Sequence, residues 1–360
     1  MLQSLTSILD NQGIDIPNII LREPRYDQYD RWVNHSIMGQ DYVFSQPITF
    51  TPYASVKPCS ARCKFCSENL RSLFSKQNTS LLRPDSDYFN TLEKALSELQ
   101  GLPLSYSLSG LEMTDDAAWF SELLTMLSQH RNVSPIESSI LYSNTAGLVG
   151  DNNQLIDQIA KFNFDWIEVS RHHFDEPVNQ RIMRFRQDQN ISSNIVFSQV
   201  IETLLTKVDV KLVCIIQSGG VDSPESAIKY LQWANALGVK HVIFREFSSL
   251  NQSYKNNNTY RYIESSRKSM TQLLEQLFQY SNFKANIDWL SSTSGYYFNN
   301  LIGTYKGMSV TFEHSDYAVM NFKHASDKIY KLVFHANGNL CAGWAPDEHI
   351  LFSNVKGGIE

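Results

Sequence analysis

Three of the five cysteines fall within eight residues: Cys59, Cys63 and Cys66, in PCSARCKFCSENL (58–70). The spacing Cys-x3-Cys-x2-Cys on one short loop lets three thiolates converge on a metal centre without help from any other element. Zinc normally takes four ligands, usually in CxxC or CxxC/HxxxH pairs. No second pair exists: Cys214 lies in an apolar run and Cys341 stands in GNLCAGWAP. Three thiolates on a cubane cluster leave one iron without a protein ligand, whereas a ferredoxin site uses four cysteines per cluster. That open iron can bind a substrate or a cofactor. A structural zinc knuckle, or three incidental thiols, is the competing reading.

The loop directly follows a strand candidate, YVFSQPITFTPY (42–53), and opens a repeating strand-then-helix rhythm. Residues 86–100 carry Phe89, Leu92, Leu96 and Leu99 at helical spacing, with Asp85 or Ser86 as the expected N-cap. Further strands are read at 105–110, 138–143, 165–170, 210–217 and 239–247. Helices are read at 116–130, near 152–162, 176–186 and 193–206, and from Ser223-Pro224 onward, with proline in the favoured first turn. Six apolar strands alternating with amphipathic helices imply an α/β chain with a parallel sheet, doubly wound or curled into a barrel. Right-handed crossovers place all strand C-termini on one face, where such folds bind ligands.

After residue 250 the rhythm changes. NQSYKNNNTYRY (251–262) reads as a polar loop and 262–280 as a helix with Met270, Leu273, Leu274 and Leu277 on one face. From 295 the pattern reads as short β: YYFNNLIGTYKG, MSVTFEHS, YAVMNFKH and KIYKLVFHANGNLCAG, with Asn337-Gly338 as a hairpin turn. Three regions follow: an N-terminal helical or loop segment (1–41), a core (42–250), and a C-terminal helix plus antiparallel β extension packed on that core (251–360). The run LREPRYDQYDRW (21–32) reads as a solvated helix face or a clamp on the core.

Composition narrows the function classes. The 360 residues are 42% hydrophobic and 19% charged, with 16 glycines and 11 prolines, which excludes collagen-like and disordered chains. A formal net charge of −6 argues against a partner held through phosphates, so nucleic acid is not an expected partner. No stretch reaches the roughly 20 apolar residues of a membrane span. The N-terminus shows no basic start or apolar run of an export signal. Clustered rather than evenly spread cysteines fit a reducing compartment, so a cytoplasmic location is expected. Phosphate-binding Gly-rich loops, HExxH and GxSxG are absent from the sequence.

The cysteine spacing, Phe65 immediately before the third cysteine, and the six-fold βα pattern over roughly residues 42–250 together resemble the radical S-adenosylmethionine (radical SAM) superfamily. The resemblance implies a partial (βα)6 TIM-like barrel with a C-terminal α+β extension, and a [4Fe–4S] cluster held by Cys59, Cys63 and Cys66. It also implies SAM bound at the open iron. Reductive cleavage of SAM would give a 5′-deoxyadenosyl radical that abstracts hydrogen from a substrate, with electrons from an external donor such as flavodoxin or ferredoxin.

The resemblance also assigns strand-end residues. Gly110 and Glu112, in SGLEMT, stand where the family has a Gly-Gly-Glu-Pro-like turn that holds the methionyl amino group. The pattern is altered by Ser109 and Leu111, and Glu112 could equally start a helix. Asn144, in SNTAG, matches a Thr-Asn-Gly turn. Glu168 and Ser170 share one face and stand where the family binds the ribose; Arg171 is the expected partner of the methionyl carboxylate, and Ile243 backs the adenine. His172, His173, Gln217, Arg245 and Glu246 are substrate candidates, although Arg245 and Glu246 could simply pair with each other. Cys341 is either a hydrogen donor to a substrate radical or a buried, hydrophobe-like thiol.

A single cluster and few other cysteines favour rearrangement, epimerisation or dehydrogenation of a small molecule. A peptide- or protein-modifying enzyme and a non-catalytic metal-binding protein are the alternatives.

Overall fold

The computed structural model describes residues 5–10, 12–70, 83–150, 153–250 and 254–353. After a short helix, Thr6–Asp10, come β1 (Asn18–Leu21) and β2 (Trp32–Ile37). The strands of the core are β3 (Gln40–Tyr53), β4 (Leu104–Leu108), β5 (Ile136–Ser143), β6 (Trp166–Ser170), β7 (Val210–Ile215) and β8 (His241–Arg245). Each pairs in parallel with the next in sequence order. Helices Tyr88–Glu98, Ala117–His130, Asn153–Phe162, Glu176–Met183, Asn194–Leu205 and Pro224–Ala236 fill the connections. Because every crossover advances one strand in the same direction and is right-handed, all helices fall on one face of the sheet. A sheet covered on one face only curls, and the other face becomes a lumen.

Side-chain alternation separates the two faces. Phe50 packs on Tyr106, whose hydroxyl meets His130 Nδ1 at 2.8 Å in the helix Ala117–His130, so Phe50 and Tyr106 face the helices. Thr49, Thr51, Tyr53, Ser105 and Ser107, at the alternate positions, therefore face the lumen. The outer layer is apolar: Leu104, Tyr106, Leu108, Leu141, Ile167, Leu212, Val242 and Phe244 are all fully buried.

The C-terminal β extension, expected to be antiparallel and packed on the core, joins the core sheet through parallel pairs at both edges. Strands β9 (Ile287–Ser294), β10 (Phe298–Tyr305) and β11 (Met308–Ser315) form an antiparallel meander, but β11 then pairs in parallel with β8. At the other edge, β12 (Lys328–His335) pairs in parallel with β3, followed by β13 (Leu340–Cys341) and β14 (Ile350–Phe352). Both open edges of the six-stranded core are thus covered by main-chain pairing, the physical need that any exposed strand edge creates. The sheet does not close on itself; its path runs from β1 to β14.

Other expectations need correction. The segment 1–41 is not only helix and loop: β1 pairs with β9, and β2 makes a hairpin with β3. Its two-residue turn, Met38-Gly39, has φ of 51° and 76°, the left-handed pair that a tight hairpin needs. Met-Gly carries a weaker turn signal than Asn-Gly, which hides the hairpin in the sequence. In the run 21–32, Arg31 reaches the carbonyls of Leu21 and Gln46 at 3.0 and 2.9 Å and clamps the chain to β3. The polar stretch 251–262 turns helical at Asn258; its first three residues lie outside the described ones. The helix expected over 262–280 is two helices, Asn258–Ser266 and Met270–Leu277, the second capped by Ser269. Asp87, not Asp85 or Ser86, occupies the N-cap position of the first core helix.

YAVMNFKH is a helix, Tyr317–His324, not a strand. Asp316 Oδ1 accepts from the backbone N–H groups of Ala318 and Val319 at 2.8 and 3.2 Å, and this N-cap outweighs the strand-like alternation. Asp316→Ala is expected to cost about 1 kcal/mol of stability, measured as a lowered urea midpoint with unchanged slope. An unchanged midpoint would show that the cap is dispensable.

Candidate active site

The cysteine loop leaves β3 at the C-terminal ends of the core strands and is tied down on three sides. Its backbone pairs with the last turn of helix Glu176–Met183 and the segment after it: Lys64 N–H donates to Ile182 O at 3.1 Å and Arg186 N–H to Ser60 O at 3.1 Å. From the end of β4, Asp115 Oδ2 accepts from the Ser60 N–H at 2.7 Å. From the end of β5, Asn144 Nδ2 donates to Ser60 Oγ at 3.2 Å and lies 3.6 Å from Cys59 Sγ. Phe65 meets His172 edge-to-face at 4.8 Å between centroids and packs on Phe247 at 5.6 Å.

Cys59, Cys63 and Cys66 are all half-buried and none is in a disulfide. Burial pushes the Cys59 thiol up to about 12, helped by the Glu112 carboxylate, and pushes Cys63 well up, helped by Cys66 and Cys59. The three sulfurs therefore feel one another's charge, and a thiolate set here needs a cation to neutralise it. Among the described residues, no three His, Cys, Asp or Glu side chains are gathered closely enough to grip an ion. The donor set fits an iron–sulfur cube better than zinc: three soft thiols on one loop, with Cys214 and Cys341 in other strands.

The turns after β4 and β5 are locked together. Gly110 has φ of 108°, and a Cβ there would stand 2.5 Å from the Tyr53 ring, so only glycine fits. Leu111 follows at φ 52°, a left-handed position unusual for a bulky residue. A Cβ on Gly147 would stand 2.0 Å from Thr114 O, which fixes how closely the two turns approach.

Glu112 is the strut between these turns. It is 1% exposed, and Oε1 accepts from Thr114 Oγ1 at 2.6 Å and Ser143 Oγ at 2.7 Å, while Oε2 accepts from the Asn144 N–H. It also caps the short 3-10 turn Met113–Asp115, the helix-start role that the sequence left open. Burial raises its pKa to about 7, with the Asp115 charge adding to the rise.

The later strand ends rearrange several expectations. Glu168 and Ser170 do share the lumen face, but Arg245 does not pair with Glu246. Instead Arg245 bridges two carboxylates, Glu168 at 3.2 Å and Glu313 of β11. Glu246 accepts from the Met270 N–H at 2.9 Å and meets His314. Arg171 is turned away from the lumen and is fully buried. Its guanidinium donates to Ile191 O and Ser192 O, both at 3.0 Å, and stacks over Phe197 in the helix layer. Alternation explains this: with Glu168 and Ser170 facing in, residue 171 must face out.

The two histidines also diverge. His172 Nδ1 accepts from the Ile215 N–H at 3.1 Å, and His173 Nδ1 from the Asp175 N–H at 2.9 Å. Burial holds His172 down to about 3, so it is neutral. With Nδ1 accepting, its ring proton is assigned to Nε2. Gln217 is fully buried and spent on Tyr262 and Ile215 O. Ile243 is 5% exposed on the lumen face of β8. Cys341 pairs with Val333 of β12, which in turn pairs with Thr51, so it shares the lumen face of the sheet; it is fully buried, with Sγ 3.6 Å from Pro346 O.

Sequence reasoning missed Tyr53, Tyr142, Glu313 and Lys331. Burial raises Tyr142 well above its ordinary value, with the Glu168 charge adding, which places it beside the ion pairs of the lumen. A polar or charged residue inside an apolar strand, as in Thr49-x-Thr51-x-Tyr53 or in KIYKLVF, was the available signal.

No family model and no curated protein matches the chain. Solved structures do. SuiB of Streptococcus suis bound to S-adenosylmethionine is 14% identical, with a TM-score of 0.49 over 84% of this chain and 61% of that one. SuiB bound to its precursor peptide SuiA is 14% identical, with a TM-score of 0.48 over 83% and 60%. Coproporphyrinogen III oxidase (HemN) from Escherichia coli, a radical SAM enzyme, is 15% identical, with a TM-score of 0.44 over 67% and 54%. The chain thus spans about three fifths of the length of SuiB, at 61%.

The Glu112 strut makes stability pH-dependent. Its folded pKa of about 7 lies above the ordinary 4.5, so the folded state holds the proton more tightly. Its contribution is complete below pH 4.5 and is lost as pH rises through 7, a change on the order of 3 kcal/mol. Urea midpoints of the metal-free protein are expected to fall over that window, and Glu112→Gln is expected to flatten the fall. An equally steep decline in the variant would assign it to other groups.

Proposed function

We propose that this chain is a radical SAM enzyme acting on a small molecule held in the lumen of its sheet. The observation that carries the reading is the half-buried three-thiol loop at the C-terminal ends of six parallel strands, stitched by Asp115 and Asn144 to the two neighbouring strand ends. In this reading Cys59, Cys63 and Cys66 hold the cluster, and a [4Fe–4S] centre with bound SAM supplies a one-electron reduction and a 5′-deoxyadenosyl radical.

The chain's own residues position and enclose. Glu112 fixes Asn144 against the cysteine loop instead of meeting the cofactor directly. The left-handed Gly110-Leu111 turn offers backbone groups beside Tyr53. Ser170 and Ile243 are the lumen-facing groups left for ribose and adenine, and Arg171, committed to the helix layer, is not among them. Neutral His172, wedged against Phe65, keeps a single N–H to offer. Tyr53, Phe65 and Phe247 line the approach and keep water from a reactive carbon radical.

Anaerobically reconstituted protein is expected to carry about four irons per chain and, on reduction, to release 5′-deoxyadenosine from SAM. Cys59→Ala, Cys63→Ala and Cys66→Ala should each abolish both. Cleavage retained in a protein lacking all three cysteines would refute the proposal, and colourless protein with one bound zinc would favour a non-catalytic metal site.

A further inference from the structure

Lys331 lies in the middle of β12, between neighbours that face the other way: Leu332 is fully buried against the helix layer. Parallel register sets Lys331 opposite Thr49 and Val333 opposite Thr51, so the lysine enters the lumen beside the two threonines. Its Nζ donates to Thr49 Oγ1 at 3.0 Å and to Thr51 Oγ1 at 2.7 Å. The ammonium also stands 4.8 Å from the centroid of the Trp344 ring, which covers it from solvent.

The residue is only 7% exposed, and among the described residues no carboxylate lies within ion-pair reach of it. Among the described residues, His324 feels its charge and is held neutral by burial, down to about 3, and His335, on the same face of β12, is held down to about 4. Two of the three ammonium protons have hydroxyl acceptors, and the third has none among the described residues. Elsewhere in the lumen Arg245 is matched by Glu168 and Glu313. Both carboxylates are held by Arg245, so among the described residues Lys331 has no counter-charge beside it, and a buried cation without a neighbouring counter-charge is unfavourable. Burial alone lowers its pKa to about 7, consistent with a group that lacks its counter-ion.

We propose that Lys331, presented by Thr49 and Thr51 and covered by Trp344, anchors the carboxylate of a small acidic molecule in the lumen. That this molecule is the substrate rests on the radical SAM reading above; that the site takes a carboxylate does not. A single ammonium with two neutral hydroxyls balances one negative charge. A phosphate dianion would call for more donors than the site presents.

The test uses full-length protein with 13C at the lysine ε-carbons, the Lys331 resonance being assigned by its absence in Lys331→Arg. Without ligand the resonance is expected to titrate near neutral pH. Millimolar benzoate or succinate is expected to raise the midpoint by about one pH unit, a tenfold preference for the charged form. Benzamide and succinamide should leave it in place. A midpoint that carboxylates do not move, or that inorganic phosphate alone moves, would overturn the proposal. The readout involves neither cluster nor SAM, so it stands or falls separately from the proposed chemistry.

Discussion

The site depends on one buried carboxylate. Glu112 accepts hydrogen bonds from Thr114, Ser143 and the Asn144 backbone, and so welds the ends of β4 and β5 into a single platform. The Asn144 that it holds reaches Cys59 and Ser60, and Asp115, three residues on from Glu112, holds the Ser60 amide. A loop carrying three cysteines has no reason of its own to keep a shape. The geometry comes from neighbouring strand ends whose close approach is fixed by Gly110 against Tyr53 and Gly147 against Thr114.

Behind that platform the sheet divides polarity cleanly. Its outer face supplies an apolar core against the helices, while the lumen face carries Thr49, Thr51, Ser105, Ser107, Glu168, Arg245, Glu313 and Lys331. An interior of hydroxyls and charges is poor packing material. It makes sense as the wall of a binding space, and the pairing of β11 and β12 with the core edges gives that space walls on both sides. No helix among the described residues is long and apolar enough to cross a membrane.

Much of this architecture was legible in the sequence, because six apolar runs separated by amphipathic stretches leave few alternatives to a parallel sheet. The thiol loop was legible for the same reason, since its chemistry is local. What escaped was non-local. That Arg171 faces outward follows from alternation with Glu168 and Ser170, yet the carbonyls it serves, on Ile191 and Ser192, come from 20 residues on. The partner of Arg245 is Glu313, not the adjacent Glu246, because β11 joins β8 side by side. The helix Tyr317–His324 reads as a strand until Asp316 is recognised as its cap. In each case a tertiary neighbour or a cap overrode the local pattern.

The central claim is that Cys59, Cys63 and Cys66 hold a cubane with one iron free for SAM. Electron paramagnetic resonance of the reduced, iron-reconstituted protein, recorded with and without SAM, tests it most directly. The account predicts a [4Fe–4S] signal whose shape changes when SAM is added. A protein that gives no cluster signal, or one indifferent to SAM, would contradict it.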